Sequence, residues 1–347
     1  MVFRQDKLIK KKPAILTSGF CSLCCCGVIG AIASIVVGVV YYCMSPPSPE
    51  ELNNVVAVLN PLTKTYTDNR SYNDVCWLTS HNSFAYKNPT FIRQYFPNQI
   101  LTIEQQLLFG IRSFSIDLHL NNANEVVIAH GDARLFEQPF LPFLITIRNW
   151  LDNNRNDIIT IHFESQVNDY NRIIGIINNA GLGHYLFDLG RNRNWPTLGE
   201  MRKTDKRLVV FSDRRQDVGF GIMHASRYIE TRFNLKDFPC CEMRNDNRAV
   251  VGTVYNFTPL FIMNHFYSIM ITPSIPRIAG TSYFSATSDV NSYEKIHKRV
   301  CDCFRTTGKW PNFIMIDFVG AFGGNELRIV RDINERTLMC PSSITCP

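Results

Sequence analysis

Apolar and polar positions follow two rhythms along this chain, and the order in which they alternate predicts a fold. Val75–Thr79, Ser113–Leu118, Val126–Ala129, Ile158–Phe163, Leu208–Phe211, Val250–Val254 and Phe313–Phe318 are short apolar or β-branched runs that read as strands. Leu101–Phe109, Phe140–Asn153, Tyr170–Ala180 and Val290–Thr306 carry helical spacing instead. Ile158–Phe163 is a continuous Ile/Thr/Phe run of the kind a buried parallel strand shows. Alternating strands and helices imply a parallel sheet with crossover helices. Eight βα units close a barrel in about 250 residues, so the stretch from residue 72 onward suits a barrel better than an open sheet.

Upstream the rhythm breaks. No charged residue occurs from Pro13 to Pro49, and Phe20–Tyr42 is apolar enough to cross a bilayer as one helix, which takes about 20 residues. A cleaved signal peptide carries a shorter apolar region, about 7–15 residues, so the run reads as a retained anchor over residues 19–43. Arg4, Lys7, Lys10, Lys11 and Lys12 precede it against Asp6 alone, and Glu50 and Glu51 follow. The positive-inside bias then keeps residues 1–18 cytosolic and places everything beyond the anchor in the lumen or outside the cell. Residues 44–71 open with Ser45-Pro46-Pro47-Ser48-Pro49, a stiff stalk, and lead to a domain over 72–347. Gly30, Ser34 and Gly38, four apart, would let two anchors pack as a dimer.

Composition refines this picture. With 347 residues, 45% hydrophobic and 12% aromatic, the chain can bury a sizeable core. Its formal charge of +6 is concentrated ahead of the anchor, and no basic stripe interleaved with aromatics remains, which argues against nucleic acid as a partner. Cys21, Cys24, Cys25 and Cys26 at the cytosolic end of the anchor are candidates for S-acylation or simply small apolar residues. Cys76, Cys240, Cys241, Cys301, Cys303, Cys340 and Cys346 lack zinc spacing, and an oxidising compartment would pair them, one thiol being left over unless Cys43 joins. Asn69-Arg70-Ser71 and Asn256-Phe257-Thr258 are glycosylation acceptors if lumenal.

The candidate chemistry lies at strand ends. His81, in Ser80-His81-Asn82-Ser83-Phe84, and His130, in Ala129-His130-Gly131, each follow a strand-like run, and Asp117 closes another. Barrel enzymes gather their reactive side chains there. Two imidazoles can serve as base and acid near neutral pH, and a neighbouring carboxylate can hold a metal.

His81-Asn82-Ser83-Phe84, Gly110-Ile111-Arg112 with Asp117, and His130-Gly131 resemble the X region of phosphatidylinositol-specific phospholipases C, within the phospholipase-C-like phosphodiesterases. Trp195-Pro196-Thr197, Arg207-Leu208-Val209-Val210-Phe211 and Gly308-Lys309-Trp310-Pro311-Asn312-Phe313, ending at Asp317, look like the single-domain X-domain-containing proteins of plants, fungi and protists. The likeness covers about residues 72–336 and implies an α/β fold, an irregular TIM-type barrel. It also implies a reaction in which a substrate hydroxyl attacks its own phosphodiester, with His81 as base, His130 as acid and Asp317 orienting His81. The residues alone do not assign which histidine does which. By the same resemblance Asn82, Asp117 and Glu164 match three positions of a divalent-metal site, calcium rather than magnesium, whereas a further acidic position is Ser115. His119 and Glu164 stand where metal-free members carry arginine and lysine, which points back to metal use.

Arg214 and Arg215 follow a strand and could hold a phosphate or polyol. Phe257–Ile271 is dense in Phe, Leu, Ile and Met, as expected of an apolar rim that meets lipid or of a buried helix. The expected function is a membrane-anchored phosphoric diester hydrolase acting on an inositol phospholipid, a glycosylphosphatidylinositol or a related phosphodiester. Exoplasmic placement favours the glycolipid and lysophospholipids. The alternative, which Ser115 favours, is a catalytically weak barrel retained as a membrane-anchored binding module.

Overall fold

The computed structural model describes residues 50, 68–86, 97–130, 137–190, 194–232, 260–266 and 289–340. Ten strands form one sheet. They are β1 (Trp77–Ser80), β2 (Ser113–Leu120), β3 (Val126–Ala129), β4 (Glu137–Pro139), β5 (Ile159–Ser165), β6 (Leu208–Ser212), β7 (Met223–His224), β8 (Ile229–Arg232), β9 (Leu260–His265) and β10 (Phe313–Ile316). Eight of them run parallel, in the order β7-β6-β5-β2-β1-β10-β9-β8, and curl into an open barrel. Among the described residues β7 and β8 share no ladder, so the seam between them is not closed by strand pairing.

Helices lie between the strands: α1 (Ile103–Phe109), α2 (Phe140–Asn153), α3 (Tyr170–Asn179), α4 (Leu198–Lys203), α5 (Ala225–Tyr228), α6 (Tyr293–Thr307) and α7 (Asn325–Asn334). Local chemistry sets their ends. Thr102 and Gln105 form a reciprocal capping box at the start of α1, and Gly110, at φ 104°, ends it in a left-handed turn that a side chain would resist.

Strand alternation sorts the side chains into two layers. Leu78, Phe114, Ile116, Ile161, Phe163, Val210, Ile314 and Ile316 face the helical shell in the larger apolar cluster. Trp77, Val209, Phe211, Leu260, Ile262, Phe313 and Met315 fill the barrel interior with Tyr72 and Trp195. The Tyr72 hydroxyl hydrogen-bonds Thr160 at 2.6 Å inside it. Such packing is dominated by apolar burial, at roughly 25 cal/mol per Å² removed from water.

Most expected elements match to within a few residues, and three points change. Val126–Ala129 pairs antiparallel with β2 rather than joining the parallel set, because residues 121–125 are too few for a crossover and permit only a hairpin. Leu260–His265, within the run expected to be a lipid rim or a helix, is a parallel strand between β8 and β10. Leu260, Phe261, Ile262 and Met263 are buried, as a strand covered on both faces requires. The sequence pattern did not anticipate β4, β7, β8, α4, α5 or α7.

Val250–Val254, the remainder of 257–271, and the expected anchor and stalk up to residue 67, Glu50 apart, lie outside the described residues. Among the described residues no helix is long and apolar enough to cross a membrane. Cys301 and Cys340 form a disulfide and Cys303 is in another, whereas Cys76 is a buried free thiol.

Candidate active site

Side chains that line the interior of β1, β2, β5, β9 and β10 are separated by two positions, so the next one along emerges at the C-terminal mouth. On β1 and β10 these are His81 and Asp317, each one residue past its strand. Ser80 pairs with Ile316, and the register therefore sets His81 beside Asp317. On β2 and β5 they are Asp117 and Glu164, which are direct register partners. Four of the expected site residues thus converge through two ladders.

His81 Nδ1 donates to Asp317 Oδ1 at 2.8 Å, and its ring stacks on Phe266 with centroids 3.7 Å apart. Burial by itself lowers the His81 pKa. The Asp317 carboxylate, with smaller help from Glu164 and Asp117, outweighs burial and leaves the pKa above the ordinary imidazole value. With the proton held on Nδ1, the neutral ring offers Nε2 as a lone pair.

The Ser80–Phe84 turn is fixed to β2. Ser83 donates its backbone N–H to Ser115 O at 2.9 Å, and its hydroxyl also meets Ser80 O and Ser115 O. Asn82 occupies the left-handed region at φ 43°, a conformation asparagine tolerates better than most residues. From there its Nδ2 donates to His130 Nδ1 at 2.8 Å, His130 having arrived on the hairpin strand β3. An amide N–H₂ cannot accept, so His130 Nδ1 is the acceptor and the neutral ring carries its proton on Nε2. The Nδ1 atom of one histidine thus faces an acceptor and that of the other a donor, an arrangement that favours opposite tautomers of the two neutral rings. Asp117 Oδ2 lies 3.8 Å from His130 Nδ1, and Asp117 Oδ1 is buried with no hydrogen-bond partner.

A cavity of about 390 Å³ opens beside this cluster, lined by Ser115, Glu164, Asp213, Arg214, Asn264 and Phe266 among others. Ser115 Oγ and Asn264 Oδ1 are buried there without a hydrogen-bond partner. Arg214 lines the cavity and donates from Nε to Ser165 O at 2.7 Å. Arg215 does not line it; this residue is exposed on the following 3₁₀ turn. His162, also on the cavity wall, is pushed down to about 3 by burial and stays neutral throughout the useful pH range.

Two buried residues that sequence patterns did not mark complete the cluster. Asn98 bonds both Asn82 and Asp317, and Gln99 donates to His81 O at 2.7 Å and to Ile316 O while accepting from Val319 N–H. An amide pair just ahead of a helix reads as ordinary loop; the one available clue was that apolar Ile100 and Leu101 follow directly.

The PI-PLC X family model matches residues 68–334. The chain belongs to that family. A PI-PLC X domain-containing protein 1 from Arthroderma benhamiae is 26% identical over 287 residues, 78% of this chain and 87% of the relative. A PI-PLC X domain-containing protein of Arabidopsis thaliana is 26% identical over 297 residues, 79% of this chain and 65% of the relative. In fold, a phosphatidylinositol-specific phospholipase C from Staphylococcus aureus superposes with a TM-score of 0.50 at 16% identity, covering 76% of this chain and 94% of that one. That likeness is one of fold: an α/β architecture whose parallel strands curl into a partial barrel.

Proposed function

We propose that this protein is a phosphoric diester hydrolase that cleaves a lipid-linked phosphodiester bearing a neighbouring hydroxyl. The observation that carries the reading is the pair of histidines whose Nδ1 atoms face an acceptor, Asp317 Oδ1, and a donor, Asn82 Nδ2. His81 Nε2 takes the proton of the attacking hydroxyl, and the imidazolium that forms is stabilised by Asp317 at 2.8 Å. The new oxygen–phosphorus bond forms as the bond to the lipid oxygen breaks, and that oxygen leaves with the proton of His130 Nε2. The polar cavity next to the dyad suits a polyol headgroup, with Arg214 available to a phosphate or hydroxyl.

The developing phosphate charge calls for a counter-ion. Asp117 Oδ1, buried and unpartnered, is what a cation ligand looks like without its ion. Asn82, Asp117 and Glu164 would hold a divalent cation, calcium before magnesium, which supplies positive charge to the phosphate oxygens when bound. The set is lean. Ser115 adds no charge, and among the described residues no three His, Cys, Asp or Glu side chains are grouped as a metal site.

In this reading the anchor over 19–43 holds the barrel at a membrane with the mouth on its exoplasmic side. Glycosylphosphatidylinositols and lysophospholipids are then the favoured substrates. The test is turnover of short-chain phosphatidylinositol and a glycosylphosphatidylinositol by the purified chain in calcium, magnesium or EDTA. His81→Ala and His130→Ala should each lower the rate by at least about 10²-fold while the protein stays folded. Near-normal rates in both variants refute the assignment. A folded wild-type chain inert under every condition favours the second reading, a binding barrel, for which the charge missing at Ser115 is the supporting observation.

A further inference from the structure

Asn98 has no part in the proton transfers above, yet it lies between the two rings. It precedes α1, is fully buried, and has both atoms of its side-chain amide committed. Its Oδ1 accepts from Asn82 Nδ2 at 3.2 Å, and its Nδ2 donates to Asp317 Oδ1 at 3.0 Å. Asn82 Nδ2 also donates to His130 Nδ1, and Asp317 Oδ1 also accepts from His81 Nδ1, both at 2.8 Å. An unbroken run of hydrogen bonds therefore joins ring to ring through Asn82, Asn98 and Asp317. The backbone clamps the middle of it: Asn98 N donates to Ala85 O at 2.9 Å, and Asn98 O accepts from Phe318 N–H at 2.7 Å.

Chemistry at one end fixes direction along the whole run. An ionised carboxylate only accepts, so Asn98 must turn its NH₂ toward Asp317. Its carbonyl oxygen is then left for Asn82, which must answer with its own NH₂. That NH₂ meets His130 Nδ1 as a donor, which leaves the ring proton on Nε2. Reversing Asn98 would set a carbonyl against a buried carboxylate, with no compensating bond.

We propose that Asn98 is a positioning residue through which the single charge of Asp317 sets the tautomers of both histidines at once, His81 directly and His130 through two amides. The roles of base and acid rest on the function proposed above; the coupling of tautomers does not.

The experiment is ring-nitrogen NMR of the full-length chain labelled at its eight histidines, alongside steady-state kinetics on short-chain phosphatidylinositol. In the wild type, neutral His130 should show one tautomer, protonated on Nε2. Asn98→Ala should convert it to a mixture, and kcat should fall about 10- to 10²-fold with KM within twofold. Asn98→Gln retains both a carbonyl for Asn82 and an NH₂ for Asp317 and should restore the single His130 tautomer, a rescue that a purely structural role would not give. If Asn98→Ala does not yield a dispersed spectrum, Asn98→Ser carries the same measurement. A single Nε2–H tautomer persisting in the folded variant without the amide, or a mixture already present in the wild type, overturns the coupling. Should the wild type turn over no phosphodiester, the ring measurement still decides this proposal while the functional reading fails separately.

Discussion

Replacing Asp317 with asparagine tests the electrostatic half of the site with little change of shape. Asp317 is about 1% exposed, and its Oδ1 receives the His81 Nδ1 proton at 2.8 Å and the Asn98 amide at 3.0 Å. In Asp317→Asn an oxygen can still accept from Nδ1, but the charge that steadies the imidazolium is gone. A hydrogen bond to an ionised group contributes about 1.5–3 kcal/mol, against about 1 kcal/mol for a neutral one. The mouth is sheltered from water, so the upper part of that range applies, and exchanging the charged bond for a neutral one costs about 2 kcal/mol. A barrier raised by about 2 kcal/mol lowers kcat by about 30-fold, at 1.36 kcal/mol per tenfold.

The pH profile should move as well, in a direction the site fixes. Burial lowers the His81 pKa and Asp317 more than restores it, so the wild-type ring becomes protonated, and useless as a base, already above the ordinary imidazole value. Without the Asp317 charge, burial dominates and the acidic limb of kcat/KM shifts to lower pH. The loss of rate should therefore be smaller at acid pH than above neutrality. Initial rates on short-chain phosphatidylinositol across the pH range, with a thermal melt to verify folding, provide the measurement. A kcat within threefold of wild type and an unmoved acidic limb would refute the reasoning.

Glu164→Gln should raise the calcium concentration needed for half-activity, and Ser115→Asp, which adds a carboxylate beside Asp117, should lower it; calcium titration of EDTA-treated protein reads both, and an unchanged midpoint in each removes the pair from the ligand set. Arg207 is buried at the start of β6, where it caps the end of α2 through Leu151 O and Asn154 O and also holds Asp157 O. Arg207→Ala removes the guanidinium from those carbonyls, of which Asn154 O keeps the Asp157 N–H, and should cost about 3 kcal/mol of unfolding free energy in a denaturant titration, with kcat of the folded fraction unchanged.

What the sequence reveals of this fold depends on how local each signal is. Phe140–Asn153 and Val126–Ala129 were legible to the residue because periodicity, flanking turns and length agree within the segment itself. β9 was misread because a strand covered on both faces carries no alternation, and four apolar residues, Leu260 to Met263, do not distinguish it from a buried helix turn. β7 and β8 are two and four residues long, below what periodicity can mark. Asp317 and Glu164 entered through the family resemblance, whereas His81, His130 and Asp117 were legible as strand-end chemistry. Asn98 and Gln99 were not, since their importance comes from partners more than 200 positions away, Asp317, Ile316 and Val319, met only once β1 and β10 pair.

That pairing also answers what the residue types alone left open. Two histidines in one pocket, with similar intrinsic basicity, have no reason of their own to divide the labour of base and acid. In the proposed reaction the division comes from what faces each Nδ1. An acceptor, the Asp317 carboxylate, draws the proton of His81 to the inner nitrogen and bares Nε2; a donor, the Asn82 amide, occupies the inner nitrogen of His130 and sends its proton outward. Both partners are put in place by the strands rather than by the histidines' own neighbours: Ser80 opposite Ile316 brings the carboxylate across, and the left-handed turn at Asn82, tied to β2 by Ser83, swings the amide toward the hairpin. Ladder register and one turn conformation are thus the physical origin of the proposed acid–base asymmetry, and a shift of register by a single residue would erase it while leaving every reactive group in the chain.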